Sequence, residues 1–343
     1  MKALSKFKQY FIGLSVLLGA ACGPAGPLQE QVYQGGALGT SYAIKLFASD
    51  TANLQPDIDS VFRVLNQSLS TYLPNSDISR INRGEDSIVV DAMFREVFQA
   101  SGAIFSRTNG YFDPTVGILV DAWGFGPGPA LQMDSTRVDS LLRYVGFDKV
   151  RLGNDGRIVR EVHGVRLDFN AIAKGYAIDR LAVMLEAKGI EDYLVEVGGE
   201  LRASGSNRAK KSPWVVGIDD PQALEGRAIK KIIRFSDRSM ASSGNYRKFR
   251  IDSLTGEKFV HTINPRTGFT ENSNILATSV LAETCMVADG YATALDVLGP
   301  GYHFETRILA TAPVTNGRID GDLILAGGGD PTLDTDAIAA IAK

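Results

Sequence analysis

Histidine and cysteine are scarce in this sequence, because its 343 residues include only three histidines and two cysteines. Zinc sites and iron–sulfur clusters are built mainly from these two residue types, so a metal bound here is expected to take oxygen ligands. Positive charge is not in excess either: 36 lysines and arginines face 39 acidic residues, for a formal net charge of −3. This balance offers no electrostatic surface for a nucleic acid, and none is expected as a partner.

Familiar nucleotide-binding motifs are also missing. No Gly-x-Gly-x-x-Gly pattern opens a helix after a strand, which argues against a Rossmann or Walker site. What is present is an ordinary globular composition, with 44% hydrophobic and 22% charged residues. The length suits one large domain or two modest ones.

The amino terminus resembles an export signal. Lysines precede an apolar run, residues 10–21, which is too short to span a bilayer and ends in small residues before Cys22. We predict that residues 1–21 are a signal peptide, that Cys22 becomes a lipidated first residue, and that residues 22–36 form a tether. The protein would then be exported and anchored by lipid to the membrane, facing the periplasm. Plain signal cleavage, with an unmodified Cys22, is the alternative.

The spacing of apolar residues predicts a mixture of helices and strands. Helices are predicted over 57–69, 92–107, 139–144, 174–188 and 285–297. Strands are predicted over 39–47, 193–197, 214–218, 231–235 and 257–263. Because strands and helices do not alternate regularly, an α+β fold is favoured over a doubly wound sheet.

Two oxygen-bearing residues lie one turn apart in the last predicted helix. Asp289 and Thr293 are four residues apart, which places a carboxylate and a hydroxyl on one face. A hard cation such as Mg²⁺ prefers such ligands, together with water and phosphate oxygens. A solvated polar face without any ligand explains the same spacing.

A second candidate begins where a predicted strand runs out at Leu167. Asp168 follows it, and a helix is expected to begin near Ala171 with small residues in its first turn. The free backbone N–H groups of that turn suit a phosphate, and Lys174 adds a positive charge. Close packing of the small residues against a sheet is the alternative.

Loop residues supply the remaining candidates. The polar residues of segments 70–72 and 76–80 either serve a site or cap the ends of helices. Tyr111 and Phe112 are suited to stack on a planar ring or to complete the core. His261 titrates near neutral pH, which suits a general base, although a histidine at a strand end also has structural uses.

These clusters together resemble the FAD:protein FMN transferase (ApbE) family. The matching segments are 38–42, 70–72, 79–82, 112–117, 123–126, 168–179, 197–200, 242–246, 261–268 and 288–294. The resemblance implies a single ApbE-like, T-fold-related domain over residues 37–300. It also implies transfer of FMN from FAD to a threonine hydroxyl of a target flavoprotein, such as a subunit of a membrane redox complex, with release of AMP. A periplasmic FAD-binding protein, or an FAD pyrophosphatase that releases FMN and AMP, is the alternative.

The same resemblance implies roles for individual residues. Mg²⁺ would be bound by Asp289, Thr293 and the backbone carbonyl of Ala171. His261 would be the base that takes the proton of the incoming threonine. FAD would contact Leu38, Tyr72, Tyr111, Phe112, Asp113, Asp168, Lys174 and Ile263.

The last segment of the chain, residues 301–343, departs from that family. It resembles a stretch of the D-alanyl-D-alanine carboxypeptidases of the penicillin-binding class at 302–307, 321–325 and 327–333. No Ser-x-x-Lys nucleophile motif occurs after the signal peptide, so peptidase activity is not expected. Members of the family normally continue with further structure that completes the domain. If that structure includes a sheet strand, residues 323–326 are expected to cover the sheet edge that its absence leaves open.

Overall fold

The computed structural model of the chain describes residues 26–49, 53–223, 228–244, 249–251, 256, 258–270 and 276–298, with only the backbone of 308–311 and 322–325. Helices and strands are intermixed, so the fold is α+β, as predicted. The predicted signal peptide, Cys22 and most of residues 301–343 lie outside the described residues. Within the described ranges, no helix is long and apolar enough to cross a membrane.

Within the part of the chain that the structure describes, the strands form one large sheet and three small ones. In chain order they are β1 Gln29–Ala37, β2 Thr40–Ala48, β3 Val150–Leu152, β4 Ile158–Arg160, β5 Asp192–Val197, β6 Glu200–Ser204, β7 Trp214–Asp219, β8 Ile229–Phe235, β9 Arg238–Gly244, β10 Phe249–Ile251, β11 Lys258–Val260, β12 Ala277–Ala282, β13 Ile308–Thr311 and β14 Asp322–Leu325. The large sheet has the spatial order β1-β2-β5-β6-β9-β12-β13-β14, and all its pairings are antiparallel. The pairs β3-β4, β7-β8 and β10-β11 form two-stranded sheets.

Helices cover one face of the large sheet. They are α1 Gln55–Leu69, α2 Asp77–Asn82, α3 Ala92–Arg107, α4 Gly117–Ala122, α5 Ser135–Leu142, α6 Ala173–Ala187 and α7 Cys285–Leu298. Helices α6 and α7 pack on the strands, while α1 and α3 pack against α6 and α7. Because α1 buries Ile58, Phe62, Leu65 and Leu69 at helical spacing, its apolar stripe faces this core.

The opposite face of the sheet is covered by the β7-β8 ribbon. Side chains of a strand alternate between faces, so Leu46 joins the helical core while Phe47 points to the ribbon. Phe47 packs against Trp214 there, with ring centroids 6.1 Å apart. Trp214 is buried, and its Nε1 donates to the carbonyl of Ser204 at 2.8 Å, which fixes the ribbon to β6.

Helices α6 and α7 cross at Gly175. A Cβ placed on Gly175 would lie 2.3 Å from the Cys285 carbonyl oxygen and 2.6 Å from the Cys285 carbonyl carbon. These are backbone atoms, so a side chain at this position forces the two helices apart. Glycine is therefore required for α7 to lie where it does.

The amino-terminal tether prediction, residues 22–36, is wrong for residues 29–36. They belong to strand β1, which pairs with β2 from Gln29↔Ala48 to Ala37↔Thr40. Most of β1 is exposed at the sheet edge, so its sequence shows no apolar alternation and composition alone suggests a linker. Residues 22–25 lie outside the described part of the chain.

Several predicted boundaries also shift. Helix α5 begins earlier than predicted because Asp134 caps it, accepting a hydrogen bond from the Arg137 amide at 2.8 Å. Helix α6 begins at Ala173 rather than near Ala171, and β11 is shorter than the predicted strand over 257–263. The capping interpretation of segment 76–80 is confirmed, since Ser76 caps α2 by accepting from the Ser79 amide.

The carboxy-terminal segment supplies two strands of the large sheet. Strand β13 pairs with β12, from Ala277↔Thr311 to Val280↔Ile308, and β14 pairs with β13. The strand next to β12 is therefore Ile308–Thr311, and not residues 323–326 as expected from the sequence. Residues 323–325 lie in β14, one strand farther out.

Candidate functional site

A cavity of about 1370 Å³ lies among the large sheet, α7 and the loops that precede α4 and α6. Every residue that the sequence predicts for the site lines this cavity. They are His261, Ala171, Asp289, Thr293, Leu38, Tyr72, Tyr111, Phe112, Asp113, Asp168, Lys174 and Ile263. Residues from six distant parts of the sequence thus meet in one place.

Asp289 is held at the first turn of α6. Its Oδ2 accepts a hydrogen bond from the Gly175 amide at 3.0 Å, which is one of the first-turn amides that have no carbonyl partner within the helix. Burial raises the pKa of the Asp289 carboxyl. The Ala171 carbonyl, the Asp289 carboxylate and the Thr293 hydroxyl all belong to cavity-lining residues, and all three groups are hard oxygen ligands.

The phosphate cradle predicted at the start of α6 is wrong in detail. The amides of Ile172 and Ala173 donate to the Phe169 carbonyl at 3.0 and 2.8 Å, and the Gly175 amide donates to Asp289. Lys174 Nζ lies 2.7 Å from Glu200 Oε1. The N–H groups that seemed free in the sequence are therefore mostly used within the protein.

Glu200 is a cavity residue that sequence reasoning left without a role. It begins β6, is almost fully buried, and pairs with the Lys174 ammonium. Burial raises the pKa of Glu200 to about 7, against the lowering effect of Lys174. The sequence signal for this residue was the preceding Gly198-Gly199 pair, because consecutive glycines indicate a tight turn. Both glycines have positive φ in the structure.

Asp179 is a second residue that sequence reasoning missed. Its Oδ1 accepts from the Cys285 amide at 2.9 Å and its Oδ2 from the Met286 amide at 2.8 Å, which caps the start of α7. Arg202 Nη1 lies 2.9 Å from Asp179 Oδ1 and fixes the carboxylate from the other side. Asp179 thus sets the position of the helix that carries Asp289.

The described lining of the cavity is strongly acidic. Its carboxylates are Asp113, Asp168, Glu196, Glu200, Asp219 and Asp289, and the only lysine or arginine among the described lining residues is Lys174. The charge of Lys174 is already paired with Glu200. A cation that accompanies an anionic substrate into this cavity lowers the repulsion between that substrate and these carboxylates.

Asp113 and Asp168 organise the loops of the cavity wall. Asp113 Oδ1 accepts from the amide and hydroxyl of Thr115 at 2.8 and 2.6 Å, and Asp168 Oδ1 accepts from the Asn170 amide at 2.7 Å. Burial raises the pKa of each carboxyl to about 6. The Asp168 amide donates to the Pro114 carbonyl at 2.7 Å, so the two loops are joined.

Aromatic and apolar side chains form the rest of the predicted FAD contacts. Tyr72 is 56% exposed and bonds through its hydroxyl to the Phe125 carbonyl at 3.2 Å, whereas Phe112 is buried in the core. The Arg266 guanidinium lies over the Tyr111 ring, 5.1 Å from its centroid. Leu38 sits in the β1-β2 turn at φ 52°, a conformation that favours glycine.

His261 follows β11 and opens a turn that is anchored by Trp123. The Trp123 Nε1 donates to the Gly268 carbonyl at 2.9 Å, and its ring lies 5.0 Å from that of Phe259. Within the turn, the Gly268 amide donates to the Asn264 carbonyl at 2.8 Å. This packing fixes the half-buried His261 at the cavity wall.

Known proteins share both the sequence and this architecture. A model of the ApbE family matches residues 38–306. The chain is 34% identical over 295 residues to the FAD:protein FMN transferase of Haemophilus influenzae, covering 82% of this chain and 83% of the relative. It is 33% identical over 307 residues to that of Vibrio cholerae, covering 87% and 88%. A solved structure of the flavin transferase ApbE from Vibrio cholerae matches with a TM-score of 0.73 and 30% identity, covering 83% of this chain and 94% of that one.

The end of the chain matches a different family. A model of the D-Ala-D-Ala carboxypeptidase 3 (S13) family matches residues 290–343, which overlaps the first match over 290–306. This confirms the resemblance of the carboxy-terminal segment to a carboxypeptidase. The overlap includes residues 290–298 of α7, and the cavity-lining Thr293 lies within it.

Proposed function

The chain belongs to the ApbE family, and we propose that it transfers FMN from FAD to a threonine hydroxyl of a target flavoprotein, with Mg²⁺ as cofactor and AMP as the second product. Transfer of FMN from FAD to a protein is the activity printed in the names of its relatives from Haemophilus influenzae and Vibrio cholerae. The cavity holds every residue that the proposal needs.

The acidic lining of the cavity is the observation that supports the metal. The FAD pyrophosphate is anionic, and the described lining offers six carboxylates against one lysine that is already paired. A divalent cation lowers this repulsion, and the oxygen ligands of Ala171, Asp289 and Thr293 suit Mg²⁺, which takes few protein ligands and completes its shell with water and phosphate. When bound, Mg²⁺ supplies positive charge that stabilises the pyrophosphate oxygens as negative charge builds on them.

Residues of this chain would bind and orient the dinucleotide. Tyr72 and Tyr111 offer aromatic faces suited to the planar isoalloxazine, and Leu38 and Ile263 offer apolar contacts. Asp113 and Asp168 fix the loops at 113–115 and 168–170, which line the same cavity. Fixing FAD against the acceptor provides much of the rate enhancement, because phosphoryl transfer depends mainly on alignment and charge.

His261 would accept the proton of the threonine hydroxyl. The hydroxyl oxygen forms a bond to the phosphorus of the FMN half while the bond from that phosphorus to the bridging oxygen breaks. AMP leaves with the bridging oxygen and its electron pair, and His261 then releases the proton to solvent. The acceptor hydroxyl belongs to another protein, so the cavity must admit a segment of that protein.

A flavinylation assay tests the proposal. The purified chain is incubated with FAD, Mg²⁺ and an acceptor protein that the Vibrio cholerae relative flavinylates, with that relative as the positive control. We expect acceptor fluorescence in a denaturing gel, equimolar AMP, and a flavin-bearing threonine by mass spectrometry. FMN and AMP without a labelled acceptor would identify the chain as an FAD pyrophosphatase. A folded chain that gives neither label nor AMP while the relative reacts would refute the proposal.

Export and lipidation are a separate proposal, supported by the lysine-rich start, the apolar run at 10–21 and Cys22. Cells that express the full chain are labelled with palmitate and fractionated. We expect the label and the protein in the membrane fraction, and loss of both from it in Cys22→Ser. Release of the unlabelled wild-type chain into the periplasm would favour plain signal cleavage.

A further inference from the structure

A buried carboxylate lies behind the cavity wall next to His261. Asp296, on α7, is fully buried, and its Oδ2 accepts hydrogen bonds from Thr262 Oγ1 at 2.7 Å and from Ser243 Oγ at 3.4 Å. Its Oδ1 is buried and has no hydrogen-bond partner among the described residues. Burying a carboxylate costs free energy, and the hydrogen bonds from Thr262 and Ser243 offset part of that cost.

The hydrogen bond to Asp296 fixes the direction of the Thr262 hydroxyl. A hydroxyl has one proton, and an ionised carboxylate only accepts, so Thr262 Oγ1 is the donor in this pair. Thr262 lines the cavity. On the cavity side its Oγ1 has only lone pairs, so it can accept a hydrogen bond there but cannot donate one. The partner of that atom must therefore carry an N–H or O–H group, which excludes the phosphate oxygens of FAD. A polypeptide has such groups, as do the hydroxyls and ring N–H groups of FAD, so the position of Thr262 in the wall decides between them.

Thr262 is the residue next to His261, the proposed base. An acceptor hydroxyl that reaches His261 brings the N–H and O–H groups of its own segment to this part of the wall. We infer that Asp296 is a positioning residue that orients the Thr262 hydroxyl to accept a hydrogen bond from the acceptor polypeptide. This inference rests on the proposed function and assigns to the Asp296–Thr262 pair the recognition of the protein substrate rather than of FAD.

The negative charge of Asp296 also favours a hydrogen-bond donor at this part of the wall. Burial raises the pKa of Asp296 to about 6, and the hydrogen bonds from Thr262 and Ser243 lower it. At pH 8 the carboxyl is therefore ionised, and the direction of the hydrogen bond is defined. The test is done at that pH.

Four variants separate recognition from structure. Thr262→Val keeps the shape and removes the hydroxyl, while Thr262→Ser keeps the hydroxyl. Asp296→Leu removes the acceptor, while Asp296→Asn retains an oxygen that can accept from Thr262. For each, the KM for the acceptor protein used above and the Kd for FAD are measured, with a thermal melt as the folding control.

The expected pattern is specific to the acceptor. Thr262→Val and Asp296→Leu each raise the acceptor KM by about tenfold, the cost of one hydrogen bond in a desolvated site, and leave the FAD Kd unchanged. Thr262→Ser and Asp296→Asn stay within about threefold of the wild type. In the Thr262→Val background, Asp296→Leu has no further effect on KM, because both act through one hydroxyl.

Other patterns overturn the inference. A structural role is indicated if the acceptor KM and the FAD Kd rise by equal factors. It is also indicated if Asp296→Leu has the same effect on KM with and without the Thr262 hydroxyl. If Asp296→Leu does not fold, the acceptor KM of Thr262→Val is compared with that of Thr262→Ser. Equal values in these two variants refute the inference. A wild-type chain that does not label the acceptor refutes the proposed function and this inference together, whereas labelling that is indifferent to Thr262→Val refutes the inference alone.

Discussion

The backbone amide of Gly175 lies 3.0 Å from Oδ2 of Asp289, although the two residues are 114 positions apart in the chain. This hydrogen bond joins the first turn of α6 to α7, at a crossing where a Cβ on Gly175 would lie 2.3 Å from the Cys285 carbonyl oxygen. The carboxylate proposed to bind Mg²⁺ is therefore positioned by a glycine of another helix.

Substitution of Gly175 by alanine is expected to impair the metal site. The added methyl pushes α7 away, at a cost of about 1–3 kcal/mol in stability, and moves Asp289 from its hydrogen bond. We expect a lower melting temperature and at least about tenfold more Mg²⁺ for half-maximal transfer. Gly36→Ala is the matched control, since the nearest atom to its added Cβ is 3.8 Å away. An unchanged Mg²⁺ requirement in Gly175→Ala would show that the crossing does not position the metal site.

Removal of the Asp289 carboxylate is expected to abolish transfer and leave the fold largely intact. Asp289→Ala removes the only charged group of the proposed metal ligands, and we expect the rate to fall by at least about 100-fold. Asp219→Asn, at another carboxylate of the cavity lining on β7, is the control and should retain most activity. Full transfer by Asp289→Ala at saturating Mg²⁺ would remove Asp289 from the metal site.

Replacement of His261 is expected to slow chemistry more than binding. His261→Ala removes the proposed base, and loss of a general base typically lowers the rate by about 10²–10⁴-fold. Single-turnover transfer and equilibrium FAD binding, measured on the same preparation, separate the two effects. A greater loss in FAD affinity than in the transfer rate would exclude the base role.

The stability of Asp296→Asn relative to the wild type is expected to rise with pH. The pKa of Asp296 is about 6 in the folded protein and near 3.9 in an unfolded chain, so the folded state binds more protons between these values. Wild-type stability therefore falls as pH rises through this window, and asparagine lacks the effect. The unfolding free energies of the wild type and of Asp296→Asn are measured by denaturant titration at pH 4 and pH 7. From pH 4 to pH 7 the difference between them should shift in favour of asparagine, by at most about 3 kcal/mol. A constant difference would contradict the raised pKa.

Elements with a strong local pattern could be predicted from the sequence. Helices α1, α3, α6 and α7 were predicted within two residues at either end, because each buries an apolar stripe or small-residue face at helical spacing. Strand β1 was not predicted, since an exposed edge strand needs no apolar alternation. The pairing of β13 with β12 depends on sheet register, which the local sequence does not encode.

The candidate site was also only partly predictable from the sequence. Its residues could be named because the motifs resemble those of a family, and the structure brings all of them to one cavity. The contacts that position them are long-range: Asp179 with the start of α7, Lys174 with Glu200, and Thr262 with Asp296. Buried polar partners of this kind leave no periodic signal in a sequence, so they emerge only from the fold.

Calorimetric titration of FAD into the folded, metal-free chain, with and without Mg²⁺, tests the central claim most directly. Since the acidic cavity repels the pyrophosphate, we expect Mg²⁺ to lower the Kd for FAD by at least about tenfold in the wild type and to have little effect in Asp289→Ala. Equal FAD affinity with and without Mg²⁺ in the wild type would contradict the account.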